Sequence, residues 1–277
     1  MLTRPSRAQR ILNYTLVALL GVFILFPVYY MAIISLKTPR AIYREPSLLP
    51  DGATLQNYAQ LFGEMDFLTN FRNSLLVATV ATVISVFIAV LAAYSLVRLK
   101  YRFRNAVGRL ILLTYLTPAA LLFIALSVIM ARIGLTNTLQ GLMFVYLTFA
   151  TPLSTWLLMG FFRGIPPDLE EQAMVDGATR LGALWYILLP LSAPGLVAVT
   201  VFTFTSAWNE LLLALVLITS PDLRTVPLAL QYFITGDVFR WGLIMAGSVA
   251  AALPVMILYY AAQRFMVQGL AAGAVKS

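Results

Sequence analysis

The chain contains no cysteine and no histidine. Without cysteine there is no disulfide framework. Without either residue there is no Cys/His metal site and no histidine-dependent catalytic triad. Charge is scarce too: 11% of the 277 residues are charged, and only 11 are acidic. No segment reads Gly-x-x-x-x-Gly-Lys-Ser/Thr, so the chain has no P-loop to cradle a nucleotide phosphate. It also lacks an internal repeat, a low-complexity run and a composition shift that would mark a soluble domain. What is left is apolar: 61% of residues are hydrophobic and the mean hydropathy is +0.87. This is the composition of a polytopic helical membrane protein.

Six apolar runs are long enough to cross a hydrocarbon core, which takes about 20 helical residues. They cover about 11–35, 70–97, 110–130, 140–162, 194–218 and 241–263. β-branched residues in these runs do not argue for strands, because an open sheet would leave unpaired edges in lipid. The first run is longer than a signal-peptide core and has no small-residue cleavage site, so it reads as a retained helix. The expected fold class is therefore all-α, a single transmembrane domain of six helices over residues 1–277. Six crossings place both termini on one side. Twelve of the 19 basic residues fall on that side, five of them between Arg98 and Arg109 with no acid among them. By the positive-inside rule that side is cytoplasmic. The net charge of +8 is thus accounted for by topology, and no nucleic-acid partner is expected.

The most informative stretch is the polar segment 164–192 between the fourth and fifth runs. Residues 166–190 hold four of the 11 acidic residues, Asp168, Glu170, Glu171 and Asp176. Asp168 is placed to cap a helix, with Glu171 three residues on as in a capping box. Gly177 suits a helix end that enters the left-handed region, and Thr179 can cap a second helix running to Pro190. The expected local structure is helix, tight turn, helix.

From Glu171 the chain reads Glu-x-Ala, three residues, Gly177, nine residues, Ile187-x-Leu189-Pro190. This resembles the cytoplasmic signature loop of permease subunits in binding-protein-dependent ABC importers, with Gln172 where the family usually has alanine. Other elements are similar to the carbohydrate permeases of that family: Leu55-x-Asn57-Tyr58 in the loop 36–69, Ala92-Ala93-Tyr94, Trp208-Asn209-Glu210, and the tail from Gln263 to Lys276. The tail is of the kind found in the second permease of maltose-type transporters. The resemblance implies a type I ABC importer permease fold in a bacterial-type cytoplasmic membrane, surrounded by membrane lipid. It implies a second, related permease, two ATPase subunits and an extracytoplasmic solute-binding protein as partners. This chain would bind no cofactor, ATP and magnesium belonging to the ATPase subunits. It also assigns Glu170, Glu171, Ala173, Met174, Asp176, Gly177, Leu189 and Pro190 to ATPase docking, and Gly273, Ala274, Val275 and Lys276 to a tail touching the ATPase.

Trp208, Asn209 and Glu210 are candidates for the substrate path. Glu210 is the one carboxylate inside the six runs, and a charge at mid-membrane costs about 2.5–3.5 kcal/mol on insertion scales. It must face the bundle or a wet cavity, either lining a sugar path or making an inter-helix hydrogen bond or a pair with an external-loop arginine. Two rival readings remain. An ion-gradient-driven secondary transporter would want several buried ionisable groups, and the runs hold one. A membrane-embedded enzyme would need a nucleophile, acid pair or metal cluster near an interface, and none is apparent.

Overall fold

The computed structural model describes residues 6–44, 47–50, 52–235 and 238–274. In chain order the helices are α1 (Arg7–Ser35), α2 (Pro39–Arg44), α3 (Gln56–Gly63), α4 (Phe67–Arg98), α5 (Arg104–Leu116), α6 (Ala119–Arg132) and α7 (Leu139–Arg163). There follow α8 (Asp168–Val175), α9 (Arg180–Ala183), a π-helical turn (Leu184–Leu188), α10 (Leu189–Leu191), α11 (Ala193–Trp208), α12 (Leu212–Leu217) and α13 (Val226–Gln231). A two-residue antiparallel pair, β1 (Ile234–Thr235) with β2 (Val238–Phe239), precedes α14 (Trp241–Ala274).

Among the described residues, four helices are long and apolar enough to cross a membrane: α1, α4, α7 and the Trp241–Phe265 part of α14. Two bent pairs raise the number to six if each is one span. One joins α5 to Leu121–Arg132 at 99°, the other joins Arg180–Leu191 to α11 at 81°. The first bend lies within the expected run 110–130 and has a local cause. A residue before proline is pushed out of the α region; Thr117, before Pro118, has ψ 123° and ends α5. The run 194–218 is also divided, at Asn209–Leu211 between α11 and α12. The basic segment expected as a loop to residue 109 is helical from Arg104.

Contacts group the chain into two units, Met1–Phe67 with Leu230–Leu253, and Leu68–Ala229 with Pro254–Ser277. In the first unit, α1 opens with a capping box in which the Ser6 hydroxyl and the Gln9 side chain each accept from the other's backbone N–H. Its C-terminal end is satisfied from α3, where the Asn57 side chain donates to the carbonyls of Ser35 and Lys37, both at 2.8 Å. The Leu55-x-Asn57-Tyr58 element is therefore a clamp on the loop, and Tyr58 adds a 2.8 Å hydroxyl contact to Ser35. Most of α1 is exposed, with only Ile33, Ile34 and Ser35 buried.

In the second unit, one apolar cluster centres on Val77, Leu142, Val145, Trp208, Ala214 and Leu217. Another gathers Ala89, Ala93, Leu158, Phe162, Leu184 and Leu188. Helices α7 and α11 meet closely: Ser154 and Thr203 share a 2.8 Å hydrogen bond, and a Cβ on Gly195 would stand 2.3 Å from the Phe161 ring. The polar start of α4 holds the loop after α12. Asn70 and Asn73 donate to carbonyls of Pro221, Asp222 and Arg224, and the Ser74 hydroxyl accepts from Val226 N–H at 2.7 Å. Asn137, at φ +55°, accepts from the N–H groups of Thr219 and Ser220 at 2.9 Å each. Backbone groups that leave regular helix are thus paired with side chains, as buried polar groups generally are.

Candidate coupling and permeation sites

The segment 164–192 folds as helix, turn, helix. The turn satisfies the end of α8 as a Schellman motif does: Gly177 N–H bonds to Met174 O at 3.2 Å, and Ala178 N–H to Ala173 O at 2.9 Å. Gly177 sits at φ +95°, where a Cβ is strained. Thr179 caps α9 through its hydroxyl, which accepts from Gly182 N–H at 3.0 Å. The start of α8 departs from expectation. Pro167 occupies the capping position and Asp168 is the first helical residue, with no side-chain cap bond. No capping box forms, since neither Asp168 nor Glu171 reaches back to the helix start. The three acids of the first turn still complement the positive end of the helix.

The acidic residues diverge in role. Glu170 turns inward, its side chain only 4% exposed, and forms an ion pair with Arg98 at the end of α4. The same guanidinium donates to Ile165 O at 2.8 Å. Tyr94, one turn earlier on α4, donates to Arg180 O at 3.2 Å. The helix-turn-helix is therefore fastened to α4 at both arms. Glu171, Asp176, Gly177 and Pro190 are exposed, Ala173 and Met174 are half-buried, and Leu189 is buried in the second apolar cluster. Glu170 and Leu189, expected at a docking surface, are buried within this chain, Glu170 against Arg98 and Leu189 in the second apolar cluster. Reading the sequence alone missed the exposed apolar side chains of this segment, Val175 at 87% exposure, Tyr186 at 80% and Leu181 at 59%. Large apolar residues in a polar loop were the available signal.

The second site is a cavity of about 460 Å³ in the other half of the unit, lined from α5, α7, α11 and the segment after α11. Residues from both helix breaks line it, Leu116, Thr117 and Pro118 from one and Glu210 from the other, together with Tyr146, Phe149 and Ser206. Irregular backbone at membrane depth is tolerated where it is buried or lines a cavity. Glu210 has a local partner as well. Its carboxylate accepts from Leu213 N–H at 3.0 and 3.1 Å and from Ala214 N–H at 3.3 Å, satisfying the free donors of α12. Trp208 does not line the cavity. It is 3% exposed, stacked on Phe204 and edge-on to Phe71. Asn209 is exposed and donates to Thr205 O at 2.8 Å. Of the proposed tail, Gly273 and Ala274 continue α14, while Val275 and Lys276 lie outside the described residues. No group of three or more metal-ligating side chains occurs among the described residues.

The capping geometry sets an expected result. Glu210→Gln keeps an acceptor for α12 and unfolds near the wild-type temperature. Glu210→Leu strands two buried N–H groups and lowers stability by about 1–3 kcal/mol. Thermal unfolding of the purified assembly measures the difference; equal stability of the two variants would remove the cap from the account.

Comparison with known proteins is consistent across the chain. The family model for the binding-protein-dependent transport system inner membrane component matches residues 81–271. The inner membrane ABC transporter permease protein YcjP of Escherichia coli is 36% identical over 279 residues, covering all of both chains. The trehalose/maltose transport system permease protein MalG of Thermococcus litoralis is 34% identical, covering 99% of each. A solved chain from a bacterial ABC transporter involved in the import of alginate superposes with a TM-score of 0.80 at 24% identity, covering 95% of this chain and 99% of that one. The fold is the one built from these helices, and the chain belongs to the family of binding-protein-dependent transport system inner membrane components, the multi-pass permease subunits of ABC transporters.

Proposed function

We propose that this subunit forms half of a sugar-translocating pore with a second, related permease, and that two cytoplasmic ATPase subunits drive it through the segment 164–192. The observation that carries the reading is the rigid mounting of that segment: an ion pair and a tyrosine bond fix it to α4, while Val175, Leu181 and Tyr186 project outward. A lever must be stiff at its root and adhesive at its tip, and this one is both. Closure of the ATPase dimer on ATP and magnesium pulls the segment, and the helices carrying the cavity switch between inward-open and outward-open states. Glu171, Ala173, Met174, Asp176, Gly177 and Pro190 contribute to the seat. Gly273, Ala274, Val275 and Lys276 belong to the contact with the same partner.

A sugar is the favoured cargo because the similar permeases include ones named for sulfoquinovosyl glycerol, trehalose and diacetylchitobiose. The cavity suits such a ligand. Phe149 and Phe202 offer apolar surface for a ring, and Ser206 offers a hydroxyl for hydrogen bonding. Solute arrives from an extracytoplasmic binding protein. The exposed length of α1 faces lipid or the second permease. Both termini are cytoplasmic, and the loop 36–69 lies outside.

Absence of native cysteine makes the topology testable directly. Gln172, exposed on α8, becomes a reporter as Gln172→Cys. A membrane-impermeant maleimide labels it in inverted vesicles but not in intact cells, and bound ATPase protects it. Labelling from outside intact cells would overturn both the orientation and the docking role.

A further inference from the structure

We propose that a cavity between the first turns of α5 and the last turns of α7 is a binding site for an anionic phospholipid. The cavity measures about 470 Å³ and is separate from the one that Glu210 lines. Arg104, Arg109 and Arg163 line it, and no acidic residue does. Glu170, the nearest acid to this end of α4, is taken up by Arg98, and no carboxylate lines the cavity to neutralise the three arginines. Arg104 spends one N–H on Leu99 O at 3.3 Å and keeps its remaining donors.

The start of α5 is itself short of negative charge. Its capping residue is Phe103, which makes no side-chain cap bond, and its first turn holds no acid. A basic residue at a helix N-terminus opposes the macrodipole. A phosphate placed there would satisfy free backbone N–H groups and cancel this mismatch.

The rest of the lining selects an amphiphile over a free anion. Trp156 and Leu112 also line the cavity. Trp156 lies seven residues before Arg163 on α7, about 10 Å deeper along the axis, and Leu112 lies about 12 Å beyond Arg104 on α5. Arg104 and Arg163 mark one end and Leu112 and Trp156 the other, with Arg109 between them, about 7.5 Å along α5 from Arg104. A headgroup phosphate among the arginines would leave an acyl chain along Leu112 and Trp156, with the indole at the depth where interfacial aromatics sit. Basic pockets between membrane helices on the cytoplasmic side bind lipid headgroups by this arrangement. An acidic protein segment would match the charge and leave the apolar end unfilled.

The test uses the complete transporter, purified with its partner permease and ATPase subunits. It is exchanged into phosphatidylethanolamine with phosphatidylglycerol titrated in, and retained lipids are counted by native mass spectrometry. Arg104→Gln, Arg109→Gln and Arg163→Gln should each weaken retention of one phosphatidylglycerol about fivefold. Gly160→Leu leaves every arginine in place. A Cβ at Gly160 meets nothing within 4 Å, so the leucine fills the cavity and should displace the same lipid. Arg102→Gln, outside the cavity, should change nothing. Wild-type retention in the arginine variants or in Gly160→Leu overturns the site. Loss of the ATPase with lipid retention unchanged overturns it as well, and assigns the cavity to a protein contact.

Discussion

Gly177→Val should abolish uptake while the subunit still inserts and pairs with its sister permease. The reason is local. At φ +95° a β-branched residue is strained by about 1–3 kcal/mol. The chain relieves that strain by giving up the left-handed turn. The two hydrogen bonds that close α8 then have no geometry to form in, and α9 leaves in another direction. Gly177→Asn, which tolerates positive φ better, should keep a measurable fraction of transport. Ala173→Trp and Glu171→Lys should weaken ATPase attachment from the exposed side, the first by overfilling a close contact at about 1–3 kcal/mol. Replacing the Arg180 side chain, which is exposed, should do little. ATPase co-purification read beside sugar uptake in proteoliposomes decides the matter. If Gly177→Val retains both at wild-type levels, the turn is not the coupling element.

The second large effect concerns the root of the lever. Glu170→Leu leaves the Arg98 guanidinium, only 11% exposed, without its carboxylate. Breaking one side of a buried pair costs about 3–5 kcal/mol, because the surviving charge is left uncompensated. The single variant should therefore unfold earlier and lose ATP-driven uptake. Arg98→Met combined with Glu170→Leu should recover most of the stability, since a packed apolar pair removes both charges. Thermal unfolding of the four members of this cycle yields the coupling between the two residues. Additive effects would mean that the pair holds nothing. If the double variant regains stability but not uptake, the ion pair is needed for transmitting force and not merely for folding.

Hydropathy was sufficient to find the apolar runs, because lipid demands long helical stretches whatever their packing. The turn at Gly177 and the cap at Thr179 were also legible, since both depend on backbone conformation within a few residues. The orientation of the acids on α8 was not. Glu170 and Glu171 are adjacent and chemically alike, and what distinguishes them is Arg98, 72 residues away. Pro118 announced a disturbance in its span, but a proline does not specify a 99° bend. Trp208 looked suited to a sugar ring, and it is buried because Phe71 and Phe204 enclose it from α4 and α11. Glu210 was correctly singled out as needing a partner. The partner was its own chain three and four residues on, which a continuous helix would have forbidden.

The π-helical turn at Leu184–Leu188 has a bearing on how such chains change over time. A π turn is an α-helix carrying one surplus residue, accommodated by widening a single turn. In an α-helix each residue advances the rotational phase by about 100°. The surplus residue therefore sets the phase of α9 independently of the phase of α10 and α11. Insertion or deletion of a residue is ordinarily ruinous in a packed helix, because every side chain beyond it turns to a new face. Here the widened turn can absorb the change. Loss of one residue there would restore an ordinary α turn, and the helices on either side would keep the faces they present.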